Sequence, residues 1–599
     1  MRNLLSFLTR TPVVAALLVA LGVAAEFVSG ATVQIWSFLL VNVLLAQSIN
    51  LLTGVAGQIS LGHAGFLGIG AYGSALLMKN FGLPLPLTLL AGAAMGAVSG
   101  WLLSFAAGRV REFYLAMMTL GFGMIFYEVV REWTSVTGGM MGLSGVPSPG
   151  LRTLTLFGWS VGPTAYFQIM LAVVAGVVWL LRNFVTSPFG RAFFAIHVSE
   201  VAAGSIGVPR ARTKRNAYML SAALAGLAGG FYAHLVGYLG PETFGLHRSV
   251  EVLVMAVVGG LGTLAGPVLG AVVFTYLPEK LQIFAEYQFM VYGLILLLSF
   301  VLLPRGLAGL LLPRPRFAKD VAPLQAPPPA APKASSSRGP LLSAEGVSIS
   351  FLGLRALDNA SVTVGVGEIL GLVGPNGSGK STLVNIISGI YRPGDGRVTF
   401  DGAAITGLPD HAVARRGALR TFQDPRLVPA FTVRENVLLG GHRLYRQNPL
   451  AAALNLPGAL REDATMLGRA DAIIAMAGLS HLADTPVRDL PYGDQRMTEL
   501  SRVILADPRL VMLDEPAAGL SEVELQRLGG LVRHLKERGV GVILIEHHMD
   551  FLNELVDRVV VLDSGRVIYQ GGMAGMYRDP AVVAAYLGTE THPGEAVHA

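Results

Sequence analysis

The chain has 599 residues, 52 % of them apolar and 14 % charged, with a formal net charge of +6. It contains no cysteine, which excludes disulfides, thiol catalysis and zinc–thiolate sites. Residues 1–312 hold 16 basic and 9 acidic side chains and no aspartate, whereas residues 313–599 hold 29 and 30. The basic excess therefore belongs to the apolar half, where membrane topology accounts for it better than nucleic acid does.

The opening "MRNLLSFLTRTPVVAALLVALGVAAEF", with Arg2 and Arg10 ahead of an apolar run, has the look of a secretory leader. More apolar stretches follow, so a retained first membrane helix is expected. A helix crosses a bilayer core with roughly 20 apolar residues. Candidate spans are 12–28, 35–52, 57–78, 84–105, 113–130, 163–181, 217–238, 250–276 and 286–303. Glycine is frequent inside them, as in "GFLGIGAYGSALL" and "SAALAGLAGGFYA", and small residues let helices approach closely in lipid. Arg109 and Arg111, and the cluster Arg182, Arg191, Arg210, Arg212, Lys214 and Arg215, mark loops expected on the cytoplasmic side.

Nine spans cannot begin and end on one side, and the stretch that repairs the parity is 250–276. It is long and interrupted by Gly-Gly, Gly and Gly-Pro. A break near Gly262 to Pro267 gives ten crossings, and a re-entrant break gives eight. Broken helices at membrane depth line cavities or binding sites, so Gly262 and Pro267 are candidate pathway residues. Gln58, His63, His234 and Glu128 are polar residues inside spans. Each is a pathway candidate, or else a satisfied helix-to-helix hydrogen bond or an interfacial group.

"LQAPPPAAPKASSSRGP", residues 324–340, has the composition of a tether. The expected organisation is a membrane domain at 1–312, a Pro/Ser-rich linker at 313–340 and a soluble α/β domain at 341–599. In the last, "ILGLVGPNGSGKSTLVNIISG" is an apolar strand, a glycine loop and a helix. Gly374, Gly379, Lys380 and Ser381 fit G-x-x-x-x-G-K-[ST], and Asn376, Gly377, Ser378 and Thr382 complete the loop and helix start. Backbone N–H groups surround the phosphates of ATP, Lys380 reaches the β and γ phosphates, and Ser381 ligates Mg²⁺. "RLVMLDEP" delivers Asp514, suited to Mg²⁺, and Glu515, suited to polarising the attacking water. "GVGVILIEHHMD" ends in His547, placed to sense the γ-phosphate. Gln423 in "RTFQDPRLV" can reach both metal and water. This order of residues predicts ATP binding and hydrolysis.

Residues 341–590 resemble an ATP-binding-cassette (ABC) ATPase. The cassette signature of that family, typically L-S-G-G-Q, corresponds here to Leu490, Pro491, Tyr492, Gly493, Asp494 and Gln495 in "LPYGDQRMTELSRVILADP". That form, with "EPAAGL" and "DPAVVAAYLG", is similar to the ATPases of branched-chain amino acid importers. The resemblance implies that Phe351 stacks on adenine. It also places Ser521 where the family's D-loop usually has Asp. The apolar half resembles the permease of the same importers in "SINLLTGVAGQISLGHAGFLGIGAYGSALL", "REFYLAMMTLGFG" and "VVGGLGTLAGPVLGA". "EVAAGSIGVPRARTKRNAY" resembles their coupling helix, with Glu200, Ala203 and Gly207 on its pattern.

By this resemblance the chain is a polytopic α-helical permease of about eight to ten spans fused to a P-loop ATPase in a bacterial inner membrane, with the ATPase cytoplasmic. Its implied cofactors are ATP and Mg²⁺. Its implied partners are a second permease, a second cassette and an external substrate-binding protein, alongside membrane lipid and with no nucleic acid. Branched-chain amino acids are the expected cargo, with urea, short amides or aromatic acids as alternatives; an exporter or an ATP-gated channel fits the pattern less well. In this family two cassettes pair head to tail. Pro491 removes the signature hydroxyl and Asp494 adds negative charge near the partner's phosphate, which leaves two readings: a competent variant, or a pair of unequal ATP sites.

Overall fold

The computed structural model describes residues 11–107, 112–149, 154–156, 159–280, 287–311, 316–324 and 339–587. Arg2, Arg10, Arg109, Arg111 and most of the 313–340 stretch lie outside them. The chain forms two compact units, one of residues 1–197 with 211–316 and the other of residues 198–210 with 317–599.

The first unit is helical. Its apolar helices are α1 (Thr11–Ala24), α2 (Gly30–Ile49), α3 (His63–Phe81), α4 (Leu85–Ala107), α5 (Glu112–Glu132) and α6 (Pro163–Val185). A short α7 (Pro188–Val198) follows, and α8 (Glu200–Ser205) belongs to the second unit. Then come α9 (Arg210–Val236), α10 (Leu246–Gly259), α11 (Ala265–Lys280), α12 (Gln288–Leu302) and α13 (Gly306–Leu311). Each candidate span overlaps a helix, but residues 57–62 of the span 57–78 form a loop ahead of α3, so Gln58 lies outside the helix expected to hold it, and 250–276 falls on two helices, α10 and α11. Gly260 (φ 122°) and Gly262 (φ 75°) turn the chain between them, in backbone regions that side chains other than glycine's rarely enter. The two legs then lie backbone against backbone: a side chain on Gly259 would strike Gly266 O, and one on Gly270 would strike Met255 O.

Small residues organise the remaining packing as well. On α4 the buried stripe runs Leu85, Leu89, Gly92, Gly96, Gly100, Ser104 and Ala107, three or four residues apart and therefore on one face. Gly92 lies against Gly70 O of α3, Gly96 against Ala222 O of α9 and Gly100 against Tyr218 O. Polar residues pin α2 to the broken pair. Trp36 Nε1 donates to Tyr276 OH at 3.0 Å, and Asn42 Nδ2 to Thr275 Oγ1 at 2.9 Å. Gln47 Nε2 donates to Leu264 O. Asn50, at the start of a π-helical turn (Asn50–Val55), donates to Thr263 O at 2.8 Å and accepts from Gly262 N at 2.8 Å.

The second unit is an α/β cassette. Strands β1 (Leu342–Phe351), β2 (Leu354–Val364), β4 (Asp395–Phe400) and β5 (Ala403–Ala404) make an antiparallel sheet in the order β2-β1-β4-β5. The other sheet has the order β6 (Ala418–Arg420), β7 (Leu510–Asp514), β8 (Gly541–Ile545), β3 (Ile369–Val373), β9 (Arg558–Asp563) and β10 (Arg566–Gly571). It is parallel except for the final hairpin. β3, β7 and β8 are buried at every position, as strands covered on both faces must be. Helix α14 (Lys380–Ile387) leaves β3, and α15 (Asp410–Arg416) precedes β6. A helical layer of α16 (Val433–Gly440), α17 (Pro457–Met476) and α18 (Tyr492–Leu505) packs around a buried ion triad. There Glu499 Oε2 takes a bond from Arg496 NH1 at 3.0 Å, and Arg502 NH2 lies 3.5 Å from Oε1. Helix α19 (Glu522–Glu537) follows β7.

Two substitutions test these packing arguments. Gly226→Val, which overfills the α3–α4–α9 contact, should destabilise the first unit by roughly 2 kcal/mol, read as a lower Tm of the detergent-solubilised chain. Glu499→Ala leaves two buried guanidinium groups unanswered and should destabilise the cassette by roughly 3–5 kcal/mol. Denaturant unfolding of the Ala variant with an unchanged midpoint would show that the triad carries no such burden.

Candidate ATP site and coupling segment

Strand ends build the site. Asp514 is level with Ile545, and Ile545 with Leu372. Gly374, Glu515 and Glu546 therefore emerge past one edge of the parallel sheet, where α/β proteins hold ligands. In the loop after β3, Gly374 (φ 147°), Gly377 (φ 81°) and Gly379 (φ 103°) take left-handed backbone. A side chain on Gly374 would meet Leu562 O, and one on Gly379 would lie 2.7 Å from Ala356 O. Asn376 and Gly377 stand exposed at the crest, Ser378 is buried, and Ser381 and Thr382 open α14 with Ser381 exposed. Lys380 is 6 % exposed and its Nζ donates to Gly374 O at 2.7 Å and Pro375 O at 2.9 Å. Burial lowers the Lys380 pKa, against the pull of Glu515 and Asp514.

Glu515 is the meeting point. It sits at φ 46°, a conformation rare for a side chain of its size and common at active sites. Gln423 Nε2 donates to Glu515 Oε2 at 3.0 Å, and His547 Nε2 is 3.4 Å from Oε1. The structure thus brings all three sequence-predicted catalytic residues onto one carboxylate. Asp514 is held by Arg420, whose NH2 lies 2.7 Å from Oδ2 and whose NH1 bonds Asn385 of α14. Ser381, Asp514 and Gln423 offer oxygen donors, the set a hard cation such as Mg²⁺ prefers. Phe351 is exposed and meets Tyr391 edge to face, centroids 5.2 Å apart.

Pro491 caps α18, and Gly493 abuts the Glu524 carboxylate closely enough that a side chain there would overlap it. Glu524 accepts from Ser521 N (2.8 Å) and Oγ (2.7 Å), so the D-loop serine is the cap of α19. Gln495 Nε2 bonds Leu490 O, Thr498 Oγ1 bonds Asp494 O, and Tyr492 OH reaches Gln423 O at 3.4 Å. Among the described residues no hydrogen bond or ion pair joins 490–495 to the 374–382 loop, so the structure does not bring the signature to its own phosphate loop.

Within the second unit, residues 198–210 rest on α15. Gly204 sits against the Asp410 carboxylate, and Arg210 NH2 is 3.2 Å from Asp410 Oδ1, whose side chain is 1 % exposed. Gly207 (φ 90°) approaches Arg443 and Arg415, and Arg443 donates to Ala506 O and Asp507 O. Ala203 is buried and Glu200 opens α8. In the first unit His63 is fully buried, its Nδ1 2.9 Å from Ser60 Oγ and its Nε2 3.0 Å from Ser221 Oγ. His234 is likewise bound, by Ser74 and Pro147 O; Glu128 pairs with Arg131 at the surface. Gln58 differs. It is buried in the loop before α3, and its Oε1 accepts nothing from the described residues. Gly262 belongs to the turn that Asn50 grips, and Pro267 lies buried in the first turn of α11, where its missing N–H has no helical partner to lose.

Residues 31–300 match the family described as the permease component of branched-chain amino acid transport systems, and residues 357–518 match the ABC transporter family. The branched-chain amino acid transport ATP-binding protein BraF of Pseudomonas aeruginosa is 36 % identical over 250 residues, which are 42 % of this chain and 98 % of BraF. The permease protein LivM of Escherichia coli K12 is 32 % identical over 325 residues, 51 % of this chain and 76 % of LivM. The chain belongs to the branched-chain amino acid family of ABC transporters. A solved ABC cassette in its ADP conformation is 31 % identical, covering 42 % of this chain and 99 % of that one, with a TM-score of 0.37. The cassette of this transporter binds ATP and couples its hydrolysis to transport.

Several residues of the transporter's site carry no motif. Arg420 neutralises Asp514, and Arg496 ties the signature helix to Phe422 O at 2.6 Å and to Glu515 O at 3.4 Å. Glu546, 3 % exposed, joins the segments after β7 and β8 by accepting from Ala517 N at 2.5 Å and His547 N at 3.1 Å. Burial first, and Glu515 beside it, raise its pKa, and backbone N–H groups oppose the rise. Glu546→Ala should lower the ATPase rate at saturating ATP about tenfold, the worth of roughly one lost charged hydrogen bond, while Glu546→Gln keeps the acceptor and most of the rate. Equal rates in all three proteins would remove Glu546 from the site.

Proposed function

We propose that the chain is the permease–ATPase subunit of an importer for branched-chain amino acids, seated in a bacterial inner membrane with its cassette in the cytoplasm. The observation that carries the hydrolytic half of this reading is the convergence of Gln423 and His547 on the Glu515 carboxylate at the edge that also bears the phosphate loop. Lys380 and the loop N–H groups hold the phosphates. Glu515 orients and polarises the attacking water, Gln423 positions it, and His547 contacts the γ-phosphate. Ser381, Asp514 and Gln423 would hold Mg²⁺, which would supply positive charge beside the β and γ phosphates. Phe351 stacks on adenine. The signature residues 490–495 complete the ATP site of a second cassette, in keeping with their separation from their own loop.

Among the described residues four helices, α2 with its π-helical turn, α4, α6 and α9, are long and apolar enough to cross a membrane, and the contact of residues 198–210 with the cassette supports a cytoplasmic position for that basic loop. Closure of two cassettes moves α8 through Asp410 and Arg443, and the α10–α11 pair, together with Gln58 of the α2–α3 connection, serves the pathway. A second permease, a second cassette and an external substrate-binding protein complete the assembly. BraF and LivM, both named for branched-chain amino acid transport, support the choice of cargo.

Radiolabelled leucine uptake into cells carrying the complete system tests this reading, with isoleucine, valine, urea and benzoate as unlabelled competitors. Uptake should fall to background in Glu515→Gln and be blocked by the branched-chain competitors alone. Uptake that persists in the variant would remove Glu515 from its role, and competition by urea or benzoate would replace the cargo. A charge exchange tests the coupling contact. Arg210→Asp should abolish uptake while cassette ATPase persists, and adding Asp410→Arg should restore a measurable part of it.

A further inference from the structure

The stretch that leaves the permease reads as the start of a tether, "PRPRFAKDVAPLQAPPPA", yet its first part is built into the cassette. Phe317 is 3 % exposed and lies against Phe431, ring centroids 4.8 Å apart at 30°. Its backbone N donates to Glu435 Oε1 at 2.6 Å, while the other oxygen of Glu435 caps Thr432 N at 2.8 Å. Two residues on, Lys319 Nζ is 3.3 Å from Asp463 Oδ2, with both side chains 6 % exposed, and donates to Ala452 O at 2.9 Å. Ala318 and Val321 pack against the apolar core of the same layer, and Leu324 N donates to Ala464 O at 3.1 Å. The segment therefore meets two buried carboxylates, Glu435 of α16 and Asp463 of α17, the Phe431 ring just ahead of α16, and the carbonyls of Ala452 and Ala464, next to the layer that also carries the signature helix α18. A lysine is buried this deeply only when its charge is answered, and the two carboxylates on α16 and α17 answer one cation and one backbone N–H that the segment supplies.

We propose that Phe317–Leu324 is a docking segment through which the permease end of the chain grips the signature-bearing layer of its cassette, so that the attachment does not depend on the covalent link between Leu324 and Gly339. The effective leash is then the five residues between Leu311 and Phe317, in place of a linker running to residue 340. A shorter leash gives the cassette a higher effective concentration at the permease. The binding determinant is an aromatic–basic pattern, Phe317-x-Lys319, read by Phe431, Glu435 and Asp463.

The absence of cysteine allows a direct test in the full chain. Leu324→Cys with Thr465→Cys, beside the Leu324–Ala464 bond, provides two thiols for a short bis-maleimide, and a specific protease site is inserted after Ala330. Cross-linking followed by cleavage should leave one full-size band on a denaturing gel. Without cross-linker, the cleaved protein in detergent should keep its cassette through size exclusion. Phe317→Ala with Lys319→Glu should lower the cross-link yield at least fivefold and release the cassette after cleavage, and the ATPase rate of the uncleaved double variant reports a folded cassette. Two separate bands after cross-linking and cleavage, or equal retention of the cassette by the parent and the double variant, would overturn the proposal.

Discussion

Three carboxylates, Asp514, Glu515 and Glu546, stand at one edge of the cassette's parallel sheet, and each is tolerated there because a different element answers its charge. Like charges gathered at one edge repel one another unless donors or cations intervene. Asp514 is answered by Arg420 from the end of β6. Glu546 is answered by backbone N–H groups of the segments that follow β7 and β8. Glu515 is answered by Gln423 and His547, and Lys380 adds its field from the phosphate loop. The compensation is therefore the architecture: it ties α14, β6, the Gln423 loop and the end of β8 to one point. Arg496 extends the same point into the helical layer by bonding Phe422 O and Glu515 O from a triad that is itself buried. The signature helix is thus hydrogen-bonded both to the backbone of Glu515 and to that of Phe422, the neighbour of Gln423.

The permease unit solves a different problem with a different material. Its helices have little charge to pair and gain no hydrophobic advantage from leaving lipid, so close packing and hydrogen bonds must hold them. Glycines on α3, α4 and α9 let backbones touch, and amide side chains on α2 supply the polar grip. The hydrogen bonds of His63 with Ser60 and Ser221 belong to this scheme. They make His63 a fastener between α3 and α9, whereas the Oε1 of Gln58, in the loop before α3, accepts no bond among the described residues.

Much of this was legible in the sequence, and what was legible was local. The phosphate loop is contiguous, Glu515 and His547 stand directly after apolar strands, and the break in 250–276 is announced by glycines that only a turn requires. What was hidden depends on partners far away in the chain. Arg210 and Asp410 are two hundred positions apart, and each looks like an ordinary surface charge until α8 is laid on α15. Arg420 and Arg496 sit among other arginines with nothing nearby to distinguish them. Glu546 stands next to a histidine that has an obvious role, and only the fold reveals which backbone groups it faces. Phe317–Leu324 runs straight into the proline-rich stretch that follows it, and its own sequence gives no hint of the buried carboxylates waiting on α16 and α17.

The joint between α2 and the broken pair has an electrical consequence. Asn50 grips the turn with a neutral amide, Gln47 does the same beside it, and residues 252–278 contain no Asp, Glu, Lys, Arg or His. Moving a full charge through the membrane field takes about 2.3 kcal/mol per 100 mV, whereas moving this tip takes none. The joint is thus held by dipoles alone, and the turn brings no formal side-chain charge of its own into the membrane field.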